Sequence, residues 1–310
     1  MKWYEVQEFD CILSAMWLLF ILLSTFAWAL VNVFNSVLVH NHTKSPVIIT
    51  WIQSCFTVPL FLLISWRLDI TSSWIPTLIF FGVTAYAADL WFFHVLHHVD
   101  VSIMNAAWSI LSLLLSIAGF LFFNESWSIY QSIGSILIIS GVLLLSLYHQ
   151  HVNIKKTLWL LVALALLYLP YYIAKKAAIS AGESASAVFF WMLIGREILS
   201  ISVPLASRST FHSAMVIIRS GWPFSIVCFS TVILYFLAEY LGALAYVSGP
   251  LSLVSVVSNI QPFIVMGAAW VYIFFWPAKG PKELITRQSI SIKLISFCIF
   301  FIGLALISAF

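Results

Sequence analysis

Residues 16–38 read MWLLFILLSTFAWALVNVFNSVL, a run without a charged side chain. A helix needs about 20 apolar residues to cross the hydrocarbon core of a bilayer, which is about 30 Å thick. The run is therefore long enough to span a membrane. Residues 1–10, which precede it, are acidic rather than basic, so we expect no cleaved signal peptide and predict that this first helix is retained.

Similar apolar runs follow along the whole chain, separated by polar or Gly/Pro positions. They predict an all-α integral membrane protein with ten transmembrane helices joined by short loops. The predicted spans are 16–38, 46–66, 74–96, 101–123, 128–148, 157–179, 185–206, 222–246, 251–275 and 290–310. No remaining segment is long enough for a soluble domain.

The composition excludes a soluble fold. Of the 310 residues, 63% are hydrophobic and 8% are charged, against about 25% charged in an ordinary soluble domain. The net charge of +3 is scattered along the chain, which disfavours nucleic-acid binding. The expected partners are the lipid bilayer and a small-molecule substrate, and the protein is expected to be a monomer or a homodimer.

The two halves of the chain resemble each other weakly. An offset of 150 residues places Ala88-Asp89 on Ala238-Glu239, and an offset of 140 places Trp51 on Trp191. These offsets predict two five-helix repeats, residues 1–150 and 151–310. Because five is odd, the second repeat enters the membrane from the opposite side, which gives the inverted symmetry that supports alternating access in many transporters.

Polar residues form matching stripes on the fourth and ninth predicted helices. Asn105 and Ser112 lie on one stripe, and Ser255 and Asn259 lie on the other. Such stripes face inward in a membrane protein. They either let helices pack closely or line a cavity, and the recurrence of asparagine favours a cavity.

Asp89 and Glu239 lie within predicted spans, where a charged side chain costs about 2.5–3.5 kcal/mol. One interpretation is that they carry protons or serve as counter-ions for a cationic substrate group. The other is structural ion pairing with Arg196, or with Lys175 and Lys176. The sequence leaves both interpretations open.

The remaining candidate site residues combine aromatic, amide and guanidinium groups. An aromatic face can hold an organic cation, and a guanidinium can hold a substrate carboxylate. Glu197 follows Arg196 directly, and because neighbours on a helix point about 100° apart, we expect each to find a partner elsewhere. Pro170 is expected to weaken the sixth helix. The predicted substrate-binding residues are Trp28, Asn32, Asn105, Tyr171, Arg196 and Asn259.

No metal, cofactor or enzymatic site is predicted. HExxH and GxSxG patterns are missing from the sequence, and its four cysteines stand singly. All eight histidines follow odd-numbered predicted helices, where polar capping is a better interpretation than metal binding. Nine lysines and arginines fall on that same side and four on the other. The positive-inside rule would therefore place both termini outside the cell.

Small-residue motifs in the third to fifth predicted helices resemble the drug/metabolite transporter superfamily, specifically its ten-helix members with two EamA-type repeats. The motif residues are Gly82, Ala85-Tyr86, Asp100-Val101-Ser102, Glu125, Gln131, Gly134 and Gly141, with Gly249-Pro250 and Gln261-Pro262 in the second half. The resemblance implies a carrier with a central cavity and cytoplasmic termini. It also implies substrates such as amino acids, quaternary amines or nucleotide sugars. The second repeat departs from the pattern, because Trp276-Pro277 stands where a counterpart of Glu125 is expected.

The sequence thus predicts a secondary transporter in a membrane, most simply the bacterial cytoplasmic membrane. Its expected substrate is a small polar or zwitterionic organic metabolite, moved by alternating access with or without proton coupling through Asp89 and Glu239. The alternatives are an uncoupled facilitator or exchanger of a larger metabolite such as a nucleotide sugar, and a non-transporting membrane scaffold.

Overall fold

The computed structural model describes residues 2–65, 70–98, 101–147, 154–219, 222–275 and 287–309; the side chains of residues 2–15 and of some residues within other helices, Asn105 among them, lie outside the described part. These ranges fold into helices and contain no strand. The helices are α1 Lys2–Asn41, α2 Pro46–Ser65, α3 Ile75–His98, α4 Val101–Phe123, α5 Ile129–Leu147, α6 Ile154–Ser180, α7 Ala185–Leu205, α8 Arg208–Arg219, α9 Trp222–Ser248, α10 Leu251–Val257, α11 Gln261–Phe275 and α12 Arg287–Ala309.

Seven stretches within the described residues are long and apolar enough to cross a membrane. They lie in α1, α2, α3, α6, α7 and α9 and in the segment Leu251–Tyr272. Shorter apolar stretches occupy Ile110–Phe123 in α4, Ile129–Gly141 in α5 and Leu294–Leu306 in α12. The protein is therefore an integral membrane protein built from helices.

The segment between the seventh and eighth predicted spans is not a plain loop. It contains α8, which begins at Arg208, ends at Arg219 and carries apolar side chains such as Phe211 and Met215 between them. At 12 residues α8 is too short to span a bilayer. It packs against α2 and α7, and Ala214 is buried, while Phe211 and Val216 stay exposed.

The predicted single span 251–275 is also different, because it is broken. A short 3₁₀ turn, Ser258–Ile260, separates α10 from α11. Pro262 has no N–H to donate to the carbonyl of Ser258, and its ring crowds that carbonyl. By contrast, α6 runs unbroken through Pro170, so the proline that was expected to weaken the sixth helix does not interrupt it.

Glu125 holds the beginning of α10 in place. Its carboxylate accepts hydrogen bonds from Leu251 N at 2.6 Å and Ser252 N at 3.0 Å, and from the Ser252 hydroxyl. Free N–H groups at a helix start attract an anion. The loop after α4 is thereby tied to the first turn of α10.

The pairs of helices in closest contact are α1 with α9, α5 with α12, and α3 with α6 and α7. Where α3 crosses α7, a Cβ added at Gly82 would overlap the carbonyl oxygen of Met192, and one added at Gly195 would overlap that of Ile79. Glycines therefore allow the two backbones to touch. This crossing lies next to Arg196 and two turns before Asp89.

Candidate functional site

A central cavity of about 80 Å³ lies between the helices. We call it the first cavity. Ser24 and Thr25 of α1 line it, together with Lys175 of α6 and Glu239 of α9. Buried polar and charged groups thus surround a space inside the apolar bundle.

A second cavity of about 30 Å³ lies further along α1. Asn32 and Asn35 of α1 line it, with Gln53 of α2 and Thr231 of α9. Because α1 lines the first cavity with residues 21–28 and the second with residues 28–35, the two cavities follow one another along this helix.

Six of the side chains that the structure describes line both cavities and therefore lie between them. We call this set the dividing layer. Each member comes from a different helix, so the layer joins α1, α3, α4, α6, α7 and α9. Its members are Trp28, Asp89, Trp108, Tyr168, Arg196 and Tyr235.

An ion pair forms the centre of the dividing layer. Arg196 Nε donates to Asp89 Oδ2, and the Tyr168 hydroxyl donates to Asp89 Oδ1 at 2.5 Å. Both oxygens of the Asp89 carboxylate are thereby paired. The interaction connects α3, α6 and α7 inside the membrane, where an unpaired charge would be costly.

Aromatic rings extend the layer on both sides of this ion pair. The Arg196 guanidinium lies 4.4 Å from the centre of the Tyr235 ring, which meets Trp28 edge to face at 5.4 Å. On the other side, the rings of Tyr168 and Trp108 lie 5.3 Å apart. The six side chains therefore form one continuous chain of contacts across the bundle.

A second ion pair borders the first cavity. Lys175 Nζ lies 2.5 Å from Glu239 Oε2, and the Tyr171 hydroxyl donates to the same oxygen at 2.9 Å. Lys175 Nζ is also 4.7 Å from the centre of the Tyr171 ring. The side chains of Lys175 and Glu239 are 2% and 5% exposed. Because water cannot reach them, each charge is stabilised mainly by the other.

The structure thus places both predicted acids in ion pairs, with Arg196 and Lys175 as their partners. One expectation was wrong: Arg196 and Glu197 do contact each other, with Arg196 Nη1 donating to Glu197 Oε1 at 3.1 Å. The long arginine side chain reaches around the helix despite the angle between the two Cα–Cβ bonds. Arg196 therefore serves two carboxylates.

The remaining predicted site residues are spread over different places. Trp28 and Tyr171 line the first cavity, and Asn32 lines the second. Asn259 is buried at the 3₁₀ turn, where Nδ2 donates to Val256 O at 3.1 Å. The side chain of Asn105 lies outside the described residues, so its predicted role stays a prediction.

Sequence reasoning left Tyr168, Tyr235 and Trp108 out of the predicted site. Tyr235 lies one helical turn before Glu239, and Tyr168 lies one turn before Tyr172 in the aromatic run of α6. This spacing is a signal that could have found both tyrosines. Trp108 gives no comparable signal, because most tryptophans of a membrane protein lie at its interfaces.

Lys175 and Lys176 lie inside α6 and are not loop charges. Lys175 is fully paired with Glu239, whereas Lys176 Nζ donates to the carbonyl oxygens of Tyr246 and Gly249 at 2.9 and 2.8 Å. Both belong to the four cationic residues on the side of the predicted spans that has fewer lysines and arginines. Without them, the excess of cationic loop residues after odd-numbered predicted spans becomes larger.

Two of the histidines bond to backbone groups of their own helices. His40 Nδ1 lies 2.9 Å from Ser36 O, and His98 Nδ1 lies 2.7 Å from His94 O. Both positions are near a helix end, where polar side chains can pair with carbonyl groups. Among the residues that the structure describes, no group of three or more His, Cys, Asp or Glu is placed to hold a metal ion.

Comparisons with known proteins agree with this architecture. Residues 15–147 match the model of the EamA-like transporter family. A solved structure described as "Crystal structure of protein" has the same fold over 97% of this chain and 98% of its own, with a TM-score of 0.67 and 14% sequence identity. No curated protein matches the sequence. The family match supports a membrane transporter of the drug/metabolite superfamily, and this family is one of transporters rather than enzymes.

Proposed function

We propose that the protein is a secondary transporter that moves a small polar or zwitterionic organic metabolite by alternating access. One observation carries this proposal: two polar cavities follow one another through the bundle, and the dividing layer lies between them. A passage that is blocked at one central layer is what alternating access requires. A scaffold would need no buried polar lining.

The dividing layer has a means of opening. Its central bond joins Asp89 of α3 to Arg196 of α7, and Arg196 also contacts Glu197. When Arg196 leaves Asp89, its charge can still be paired by Glu197. The second carboxylate lowers the cost of breaking a buried ion pair.

The charges around the first cavity favour a zwitterionic substrate. Glu239 can accept a substrate ammonium, and Lys175 or Arg196 can hold a carboxylate. The hydroxyl groups of Tyr171 and Tyr168 supply further hydrogen bonds at the wall. In this proposal Asp89 and Glu239 act as counter-ions, the first for Arg196 and the second for Lys175 or for the substrate amine.

The size of the cavity favours a small metabolite. A buried water needs about 10–15 Å³ of such space, so the first cavity, at about 80 Å³, has room for about five water molecules. An amino acid or a small amine is of that order. A nucleotide sugar is much larger, which makes the alternative of nucleotide-sugar exchange less favoured.

We further propose that the chain consists of two inverted five-helix halves, residues 1–150 and 151–310, with ten spans. Helix packing supports this. The contact of α1 with α9 has a counterpart in that of α6 with α3, and the contacts of α4 with α10 and α5 with α12 join equivalent helices of the two halves. Such a carrier would work in the bacterial cytoplasmic membrane as a monomer or homodimer.

The test is transport by the purified protein in proteoliposomes. We expect counterflow of at least one labelled amino acid or small amine from a panel, and thermal stabilisation of the detergent-solubilised protein by the same compound. Asp89→Asn should reduce counterflow at least about ten-fold, which corresponds to about 1.4 kcal/mol, because the layer loses its central charge.

Glu183→Gln is the matched control. It is also an acid-to-amide change, but Glu183 lies in the loop between α6 and α7, so counterflow should stay at the wild-type rate. If no compound is transported and none stabilises the protein, the scaffold alternative is correct. Wild-type counterflow in Asp89→Asn would show that the dividing layer is not the gate.

A further inference from the structure

The buried charges near the dividing layer do not balance. The carboxylates of Asp89, Glu197 and Glu239 face two cations, Lys175 and Arg196. If every group is ionised, the cluster carries one negative charge. Burying an uncompensated charge is strongly unfavourable. The cluster is therefore expected to hold one additional positive charge.

The hydrogen bonds identify which carboxylate lacks partners. Both oxygens of Asp89 accept bonds, and Glu239 Oε2 accepts from both Lys175 and Tyr171. Glu197 is different. Its Oε1 accepts one bond from Arg196, while its buried Oε2 has no hydrogen-bond partner among the described residues.

We propose that Glu197 is a proton-binding site of this protein, with the proton on Oε2. A proton there neutralises the cluster, and it leaves Oε1 free to accept from Arg196. The proposal rests on the proposed transport function, because it identifies the coupling ion. It also replaces Asp89 and Glu239 as carriers, because both oxygens of Asp89 accept hydrogen bonds and Glu239 Oε2 accepts two.

The groups around Glu197 are compatible with a proton on Oε2. The Ser54 hydroxyl of α2 lies beside this carboxylate and donates to Ser200 Oγ at 2.7 Å. Its oxygen therefore keeps a free lone pair, which a protonated Glu197 can use as an acceptor.

The helices around Glu197 bring further titratable groups. Arg196 is on its own helix, α3 contributes Asp89, and α2 contributes Cys55, which interacts electrostatically with Glu197. Two further helices that contact α7 also carry titratable residues: α6 carries Tyr168, and α8 carries His212. The fifth neighbour, α9, contributes Tyr235, whose ring lies over Arg196.

The proton transfer can be coupled to the gate through Arg196. With Arg196 on Asp89, Glu197 holds its proton. When Arg196 leaves Asp89 and pairs fully with Glu197, the proton departs from Oε2 to water, and the carboxylate becomes the counter-ion. One proton is taken up and one is released in each cycle, and no other covalent bond changes.

Infrared spectroscopy of the purified full-length protein tests the site without any substrate. We expect a C=O stretching band of a protonated carboxylic acid at neutral pH, which shifts in heavy water. Glu197→Gln should lose this band, whereas Glu183→Gln should keep it. Because glutamine resembles a protonated glutamate in shape, the variant should fold, and its thermal midpoint should stay close to that of the wild type.

Accumulation in proteoliposomes supplies the second measurement. With one proton per neutral substrate, a gradient of one pH unit can drive about ten-fold accumulation. We expect this in the wild type and in Glu183→Gln, and none in Glu197→Gln. A band that survives in Glu197→Gln overturns the proposal, as does pH-driven accumulation in that variant. Wild-type counterflow separates the two ideas: if it is missing, the proposed function fails, and if it is present without the band, the proton site alone fails.

Discussion

Asp89 and Glu239 lie 150 residues apart, at equivalent positions of the two proposed halves, but their contacts in the structure differ. Each carboxylate accepts a hydrogen bond from a tyrosine of α6, Tyr168 for Asp89 and Tyr171 for Glu239. Each also pairs with a cation. Asp89, however, lines both cavities, whereas Glu239 lines the first.

The difference follows from where the cations come from. Lys175, the partner of Glu239, belongs to the same proposed half, whereas Arg196 joins Asp89 across the two halves. The 140-residue offset aligns Arg196 with Phe56 in the sequence. The first half therefore has no cationic residue at the position equivalent to Arg196. A motion between the halves would therefore stretch the Asp89 pair and leave the Glu239 pair intact. In the proposed mechanism, the weak internal symmetry places the two acids, and the missing cation in the first half separates the proposed gate at Asp89 from the proposed binding site at Glu239.

The largest effect on stability should come from breaking the Glu239 pair. Glu239→Gln leaves Lys175, which is 2% exposed, without its counter-charge, and such a loss typically costs about 3–5 kcal/mol. Asp89→Asn should cost less, about 1–3 kcal/mol, because Arg196 keeps Glu197 as a partner. The free energy of unfolding of the two variants in detergent measures the difference.

A double variant makes this comparison sharper. Lys175→Met combined with Glu239→Gln removes both charges, and it should recover most of the stability that Glu239→Gln loses. Lys176→Met is the matched control for the lysine change, because Lys176 bonds backbone carbonyl groups rather than an acid. An equal loss in Asp89→Asn and Glu239→Gln would mean that the two sites are equivalent after all.

A smaller effect is expected where α3 crosses α7. Gly195→Ala adds a methyl group that meets the backbone of Ile79, so the helices must separate and Arg196 must move relative to Asp89. Overpacking of this kind costs about 1–3 kcal/mol. The thermal midpoint should fall and counterflow should decrease. Gly267→Ala is the control, since a Cβ there meets no atom within 4 Å; a loss of the same size in both variants would contradict the close crossing.

Much of the fold could be predicted from the sequence because membrane helices have a simple requirement. Each needs a long uncharged stretch, and runs such as 16–38 meet it without reference to other parts of the chain. The break at Ser258–Ile260 and the helix α8 were missed. The break depends on how Pro262 is accommodated locally, and α8 depends on packing against α2 and α7. A count of apolar residues contains neither kind of information.

The candidate site was predictable to the extent that charge is rare in the membrane. Asp89, Glu239 and Arg196 stand out for that reason. The pairing between them does not follow from the sequence, because it depends on which faces of α3, α6 and α7 meet. Glu197 was not expected to contact Arg196, because neighbouring side chains on a helix point in different directions. The arginine side chain is long and flexible enough to make this contact. To predict these pairings from the sequence, one would need to know how each helix is rotated about its axis and how far each side chain reaches.

The smallest effect concerns another carboxylate that connects the two proposed halves, Glu183, which lies in a loop. The backbone N–H and the hydroxyl of Ser73 donate to Glu183 Oε1 at 3.0 and 2.7 Å. The hydrogen bond from the Ser73 hydroxyl is the main cause that lowers the pKa of Glu183 below its ordinary value of 4.5.

A lowered folded-state pKa means that this interaction stabilises the protein above the ordinary pKa of glutamate, and that the stabilisation is lost as the pH falls through the lower folded value. Glu183→Gln should therefore reduce the thermal midpoint slightly at neutral pH, and the difference from the wild type should vanish on acidification. Ser73→Ala should show the same dependence. A difference that stays constant with pH would mean that the Glu183 charge contributes nothing. A loop carboxylate that bridges the halves would then matter far less than the bridge that Asp89 makes inside the membrane, where water cannot replace a lost partner.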